Sequence, residues 1–170
     1  MQQTMSKEVN RPFLTLTSSN YYSAEANRAY QSASVFKGFM QCEAAELAKL
    51  SGEWEPNQDP TALLVGNYLH SHFESPEAHQ VFLNDHPEIL ATTGKNRGQP
   101  KAPYQVADKM IATLEGDPVF NQIYQGKKEL IITGEIGGVK WMGKLDCFAD
   151  NHKYFADLKT TQDRITPACA

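Results

Sequence analysis

At Lys128 the periodicity of the chain changes, and that change restricts the folds open to it. Before it, apolar residues recur at helical spacing; after it they alternate, as a strand with one buried face requires. Glu129 to Ile136, Val139 to Ala149 and Lys153 to Thr161 read as three strands. Gly137-Gly138 suits a tight hairpin turn and Asp150-Asn151-His152 a second one. An antiparallel meander behind a helical half is a mixed α/β domain. With 170 residues the chain can bury a real core, expected as one domain over 18–170 behind a polar arm at 1–17.

The helical half divides at its capping and breaking residues. Ser18 and Ser19 are candidate caps of a helix running to about Tyr30, and Ser34 of a clearer one. In the latter Phe36, Phe39, Met40, Leu47 and Leu50 share a stripe expected to face the core, and Gly52 stands where a terminating glycine belongs. Asp59-Pro60 reads as the start of a helix to about Glu74, with Leu63, Leu64, Tyr68, Leu69 and Phe73 as its apolar contacts. Ser75-Pro76 restarts a short helix to Asn84. A helix from Tyr104 to Leu114 and one from Asp117-Pro118 to Gly126 complete this half. Between them, Thr92 to Pro103 is a basic loop rich in glycine and proline.

No apolar run is long enough to span a bilayer, and Met1 to Arg11 is too polar for a secretory signal, so the cytoplasm is the expected compartment. Cys42, Cys147 and Cys169 form no C-x-x-C pair, which indicates neither a zinc ribbon nor a disulfide framework. A net charge of −4 argues against a protein that coats nucleic acid electrostatically. It leaves room for an enzyme with acidic metal ligands and a local basic groove. Lys95, Arg97 and Lys101 are the densest positive cluster of the helical half. On a flexible loop they are either phosphate contacts or ordinary solvated charges.

The chemistry concentrates near the end. Lys144-Leu145-Asp146 is followed, eleven residues after Asp146, by Asp157-Leu158-Lys159. Asp157 and Lys159 project from one face of a strand, and Asp146 closes the strand before it. Two carboxylates beside an ammonium suit a metal-dependent phosphodiesterase, because Mg²⁺ takes hard oxygen ligands and a lysine can stabilise developing charge. The alternative is a solvent-facing Asp–Lys pair of little energetic value. Upstream, Gly66, His70 and Glu74 stand four apart on one helical stripe. His70 can ligate beside carboxylates and Glu74 can support it, or the two are an i,i+4 surface pair.

The order G-x-x-x-H-x-x-x-E, G-K-L-D and D-L-K-T-T resembles the PD-(D/E)xK nuclease superfamily, and looks closest to the phage-type exonuclease VIII (RecE-like) branch. The segments 36–45 (F-K-G-F-M-Q-C-E-A-A) and 133–139 (T-G-E-I-G-G-V) read the same way, so the resemblance spans roughly 20–162. It implies a restriction-endonuclease-like core and a Mg²⁺- or Mn²⁺-dependent exonuclease hydrolysing double-stranded DNA. It also implies a single-strand annealing protein as partner, and leaves assembly with a second copy open. Carried over, His70, Asp146 and Asp157 are metal ligands, Lys159 is the catalytic lysine and Glu74 a supporting acid. Relatives with an iron–sulfur cluster carry a trailing cysteine triplet absent here, so Cys42 is expected as a small buried residue. The family continues past the D-x-K strand with a helix and a further strand. A chain ending at Ala170 is therefore expected to be C-terminally truncated, with an unpaired sheet edge. The competing reading is an inactive nuclease remnant that binds DNA or protein.

Overall fold

The computed structural model describes residues 14–57 and 59–161. The arm up to residue 13 and the tail with Cys169 lie outside the described residues. The chain forms two compact units, one from the chain up to Glu55 with Thr133–Gly143, the other from Pro56–Ile132 with the chain from Lys144 onward.

In the first unit, α1 (Ala24–Ala29) and α2 (Ala33–Gln41) are capped by the hydroxyls of Ser23 and Ser32, which accept from the amides of Ala26 and Val35. The expected caps Ser18, Ser19 and Ser34 do not serve. Asn20 folds the preceding stretch into a turn by accepting from the Thr17 amide at 2.7 Å, a side-chain bond that competes with helix. Ser34 bonds the Ser32 hydroxyl instead, at 3.0 Å. The single helix expected from Ser34 to Leu50 is broken at Cys42, whose extended backbone separates α2 from α3 (Glu43–Ser51). Gly52 ends α3 in the left-handed conformation, φ 78°.

That break alters which residues are covered. Val35 and Glu46 are buried, whereas Phe36, Met40 and Leu47, expected as core, are exposed. Cys42 is exposed too, contrary to the expectation of a buried cysteine. Glu46 lies against Gly38 so closely that a Cβ there would fall 2.2 Å from its carboxylate.

The second unit holds α4 (Thr61–Glu74), α5 (Pro76–Asp85), a 3-10 turn (Pro87–Ile89), α6 (Ala102–Glu115) and α7 (Pro118–Ile123). Asp59 accepts from the Thr61 amide at 2.9 Å, so α4 starts one residue later than Pro60 suggested. Ser75 and Asp117 cap α5 and α7, each followed by proline in the first turn. Tyr68, Leu69, Ile89, Tyr104, Ala107 and Ile111 form the core of this unit, joined by Leu64 and Phe73. Leu63, expected among these contacts, turns to solvent.

The sheet runs β1 (Gly126–Ile136), β2 (Val139–Ala149), β3 (Phe155–Ala156), in that order. Gly137 and Gly138 both have positive φ, 61° and 77°, as a type I′ hairpin turn demands. β3 pairs antiparallel with β2 through Cys147–Ala156 and Phe148–Phe155 only. The strand expected over Lys153–Thr161 is thus cut to two residues, and beyond it the side chain of Asp146 takes the Leu158 amide. The mixed α/β meander holds as expected.

Candidate metal centre

Three elements of the second unit bring their side chains to one point. His70 projects from α4, one turn after Gly66, and its Nδ1 lies 3.4 Å from Oδ2 of Asp146 near the end of β2. A Cβ added at Gly66 would rest 3.5 Å from the hydroxyl of Thr160, so the helix runs close to the segment that carries Asp157 and Lys159. Asp146 is buried, and the Leu158 amide donates to its Oδ2 at 2.6 Å. Its neighbours on either side in the D-L-K triplet are therefore pinned beside it. Asp157 and Lys159 lie past the end of β3 rather than on a strand, and are paired at 2.6 Å with Lys159 largely in solvent.

Glu129 completes the cluster. Donor atoms of His70, Glu129 and Asp146 all lie within 4.8 Å of one another, while Asp157 stands outside that group. The sequence offered no signal for Glu129 beyond its place at the start of a strand. It takes φ 51°, unusual for a residue with a side chain, and its carboxylate contacts the Lys144 ammonium. The pairing of these two required the register of β1 against β2.

The electrostatics follow from crowding acids in partial burial. Burial raises the Asp146 carboxyl above its ordinary range, Asp157 and Glu129 adding to it, while the Leu158 amide and His70 oppose. Glu74 is also raised, first by burial and then by Glu129, with Lys144 pulling the other way. It contributes no donor to the cluster, but lines a cavity of about 650 Å³ with His72, His79, Glu115, Tyr124 and Lys128. Lys95, Arg97 and Lys101 are exposed on the loop between Leu90 and Lys101, where Gly94 and Gly98 adopt φ 78° and 80°.

A histidine and two carboxylates thus converge beside a D-x-K segment, and residues 32–168 match the family described as a PDDEXK-like domain of unknown function (DUF3799). The chain belongs to this PDDEXK-like family. Its structure is similar to a crystal structure from Eubacterium rectale named "Putative exonuclease", at 41% identity and a TM-score of 0.72. The alignment covers 81% of this chain and 52% of that one, so the chain spans about half the length of that protein. No match was found among curated proteins. The nuclease superfamily expected from the motifs is thereby borne out, and PDDEXK nucleases depend on divalent metal. Among the described residues no helix is long and apolar enough to cross a membrane.

Proposed function

We propose that the protein is a divalent-metal-dependent deoxyribonuclease that degrades double-stranded DNA from its ends. The observation that carries this is the convergence of His70, Glu129 and Asp146 within 4.8 Å, beside Asp157 and Lys159. The donors are one imidazole nitrogen and carboxylate oxygens with no thiolate, a set that suits Mg²⁺ or Mn²⁺. A bound ion would activate water and neutralise charge on the phosphate. His70, Glu129 and Asp146 would hold it, with Asp157 as the further carboxylate at the open side.

The remaining roles belong to the chain itself. Asp157 keeps the Lys159 ammonium on the solvent side, where a phosphate oxygen can take it over. Glu74, its carboxyl raised by burial, is suited to hold a proton near the reacting group. The cavity it lines is of a size for a nucleotide. The exposed cations of the loop would contact backbone phosphate without reading sequence. Attack at ends rather than internal sites is supported by the name of the Eubacterium rectale protein. A prophage-recombination role would place it in the cytoplasm beside a single-strand annealing protein.

The test is degradation of linear and closed-circular duplex DNA with Mg²⁺ or Mn²⁺ and with chelator. Loss of linear DNA only, abolished by Asp157→Ala and by chelator, is the expected result. Cleavage of the closed circle makes the protein an endonuclease. Unchanged degradation by Asp157→Ala, in a preparation free of host nuclease, overturns the site.

A further inference from the structure

Two lysines accompany the acids of the centre, and they sit differently. Lys159, the lysine of the D-x-K triplet, is 77% exposed and paired with Asp157, itself 39% exposed. Lys144 is 19% exposed and contacts Glu129, which is 13% exposed. Lys144 and Asp146 are two apart on β2, so both side chains leave the same face of the strand. The ammonium is thus delivered to Glu129 by the strand that delivers the cluster's most buried acid.

Glu129 is held in a backbone conformation that side chains disfavour, at φ 51°. Its carboxylate stands within 4.8 Å of the donors of Asp146 and His70. Two largely buried carboxylates this close repel each other unless a cation lies between or beside them. Lys144 is a largely covered cation in contact with Glu129 of that pair. A divalent ion entering the same cluster meets that ammonium as a like charge, in a setting where water screens it poorly.

We propose that Lys144 is the built-in counter-ion of this centre, holding Glu129 in place before metal binds and competing with the metal for it, so that it sets how tightly the metal is held. This rests on the metal-dependent reading above and goes beyond it, since Lys144 is a positioning residue and need not touch the DNA. A lysine of merely structural importance would, on removal, weaken the fold and the metal site together. A competing counter-ion moves the two in opposite directions.

The experiment titrates Mn²⁺ by calorimetry into the full chain without DNA, and melts the same proteins in chelator. Lys144→Met is expected to melt lower in chelator yet bind Mn²⁺ about tenfold more tightly. Lys144→Arg, which keeps the charge, is expected to stay near wild type in both. Should Lys144→Met not fold, Lys144→Gln combined with Glu129→Gln, compared with Glu129→Gln alone, reads the same coupling: the gain in affinity should shrink once Glu129 is neutral. A wild type that takes up no Mn²⁺ overturns the metal reading and this proposal with it. A wild type that binds, with Lys144→Met binding equally or more weakly, overturns this proposal alone.

Discussion

Asp146 shows how a single side chain is destabilised for the sake of a site. Its carboxyl is raised by burial, and beyond that by Asp157 and Glu129, so the folded protein holds its proton to higher pH than the unfolded chain does. The sign follows from linkage. As pH rises through the window above the ordinary value of 3.8, the unfolded state loses the proton first and stability falls. Asp146→Asn, which can still accept from the Leu158 amide, is therefore expected to raise the metal-free melting temperature at neutral pH. The expected rise is about 2–4 °C, corresponding to ~1 kcal/mol in a chain of this length. The same variant should lose the upward shift that Mg²⁺ or Mn²⁺ gives wild type, because a ligand stabilises only a fold that binds it. Differential scanning calorimetry with and without metal checks both. A His70→Ala protein that keeps the full metal shift would remove the imidazole from the ligand set.

At the scale of elements, the start of β1 leaves no room for a side chain beside the backbone of β2. Gly126 has φ 142°, and a Cβ there would lie 2.0 Å from the carbonyl oxygen of Phe148. Backbone cannot yield as a side chain can, so Gly126→Ala should cost at least ~2 kcal/mol. Gly134→Ala on the same strand meets nothing within 4 Å and should stay within about 0.5 kcal/mol of wild type. Urea denaturation separates the two. The junction of α4 and α5 gives a pH-dependent case. His79 is bonded to the Ser71 hydroxyl at 2.9 Å and packs edge-on against Tyr68. Burial lowers its pKa below 6.5, with His72 adding to the effect. A group depressed in this way contributes stability that is present above pH 6.5 and lost as pH falls through its folded value. The stability difference between wild type and His79→Gln should accordingly narrow on acidification, as melting curves from neutral pH downward will read.

For the molecule as a whole, the question is how a chain of net charge −4 engages a polyanion. The exposed loop with Lys95, Arg97 and Lys101 concentrates positive charge outside the acidic centre. Replacing all three with alanine should weaken DNA binding and reduce the salt slope by up to about three counterions. The metal-induced rise in melting temperature should persist, since none of these residues contributes a donor to the cluster. An unaltered slope in a binding titration returns the loop to an ordinary solvated surface.

The sequence by itself determined the class of fold and the nuclease superfamily, because those signals are local. Alternation after Lys128, the double glycine at 137–138 and the prolines at 76 and 118 act within a few residues of themselves, and the elements they announce are present. His70 and Asp146, which the structure brings together, were candidates for the same reason, each from a short spacing within its own element. Only the tertiary structure decided the rest. Whether Phe36 and Met40 face a core depends on the break at Cys42, which no periodicity announces. The third strand shrank to Phe155–Ala156, and beyond it a buried carboxylate takes the Leu158 amide. Glu129 and Lys144, fifteen residues apart in sequence, became partners through the pairing of β1 with β2. Such contacts are set by register and burial, which the linear order of residues leaves open.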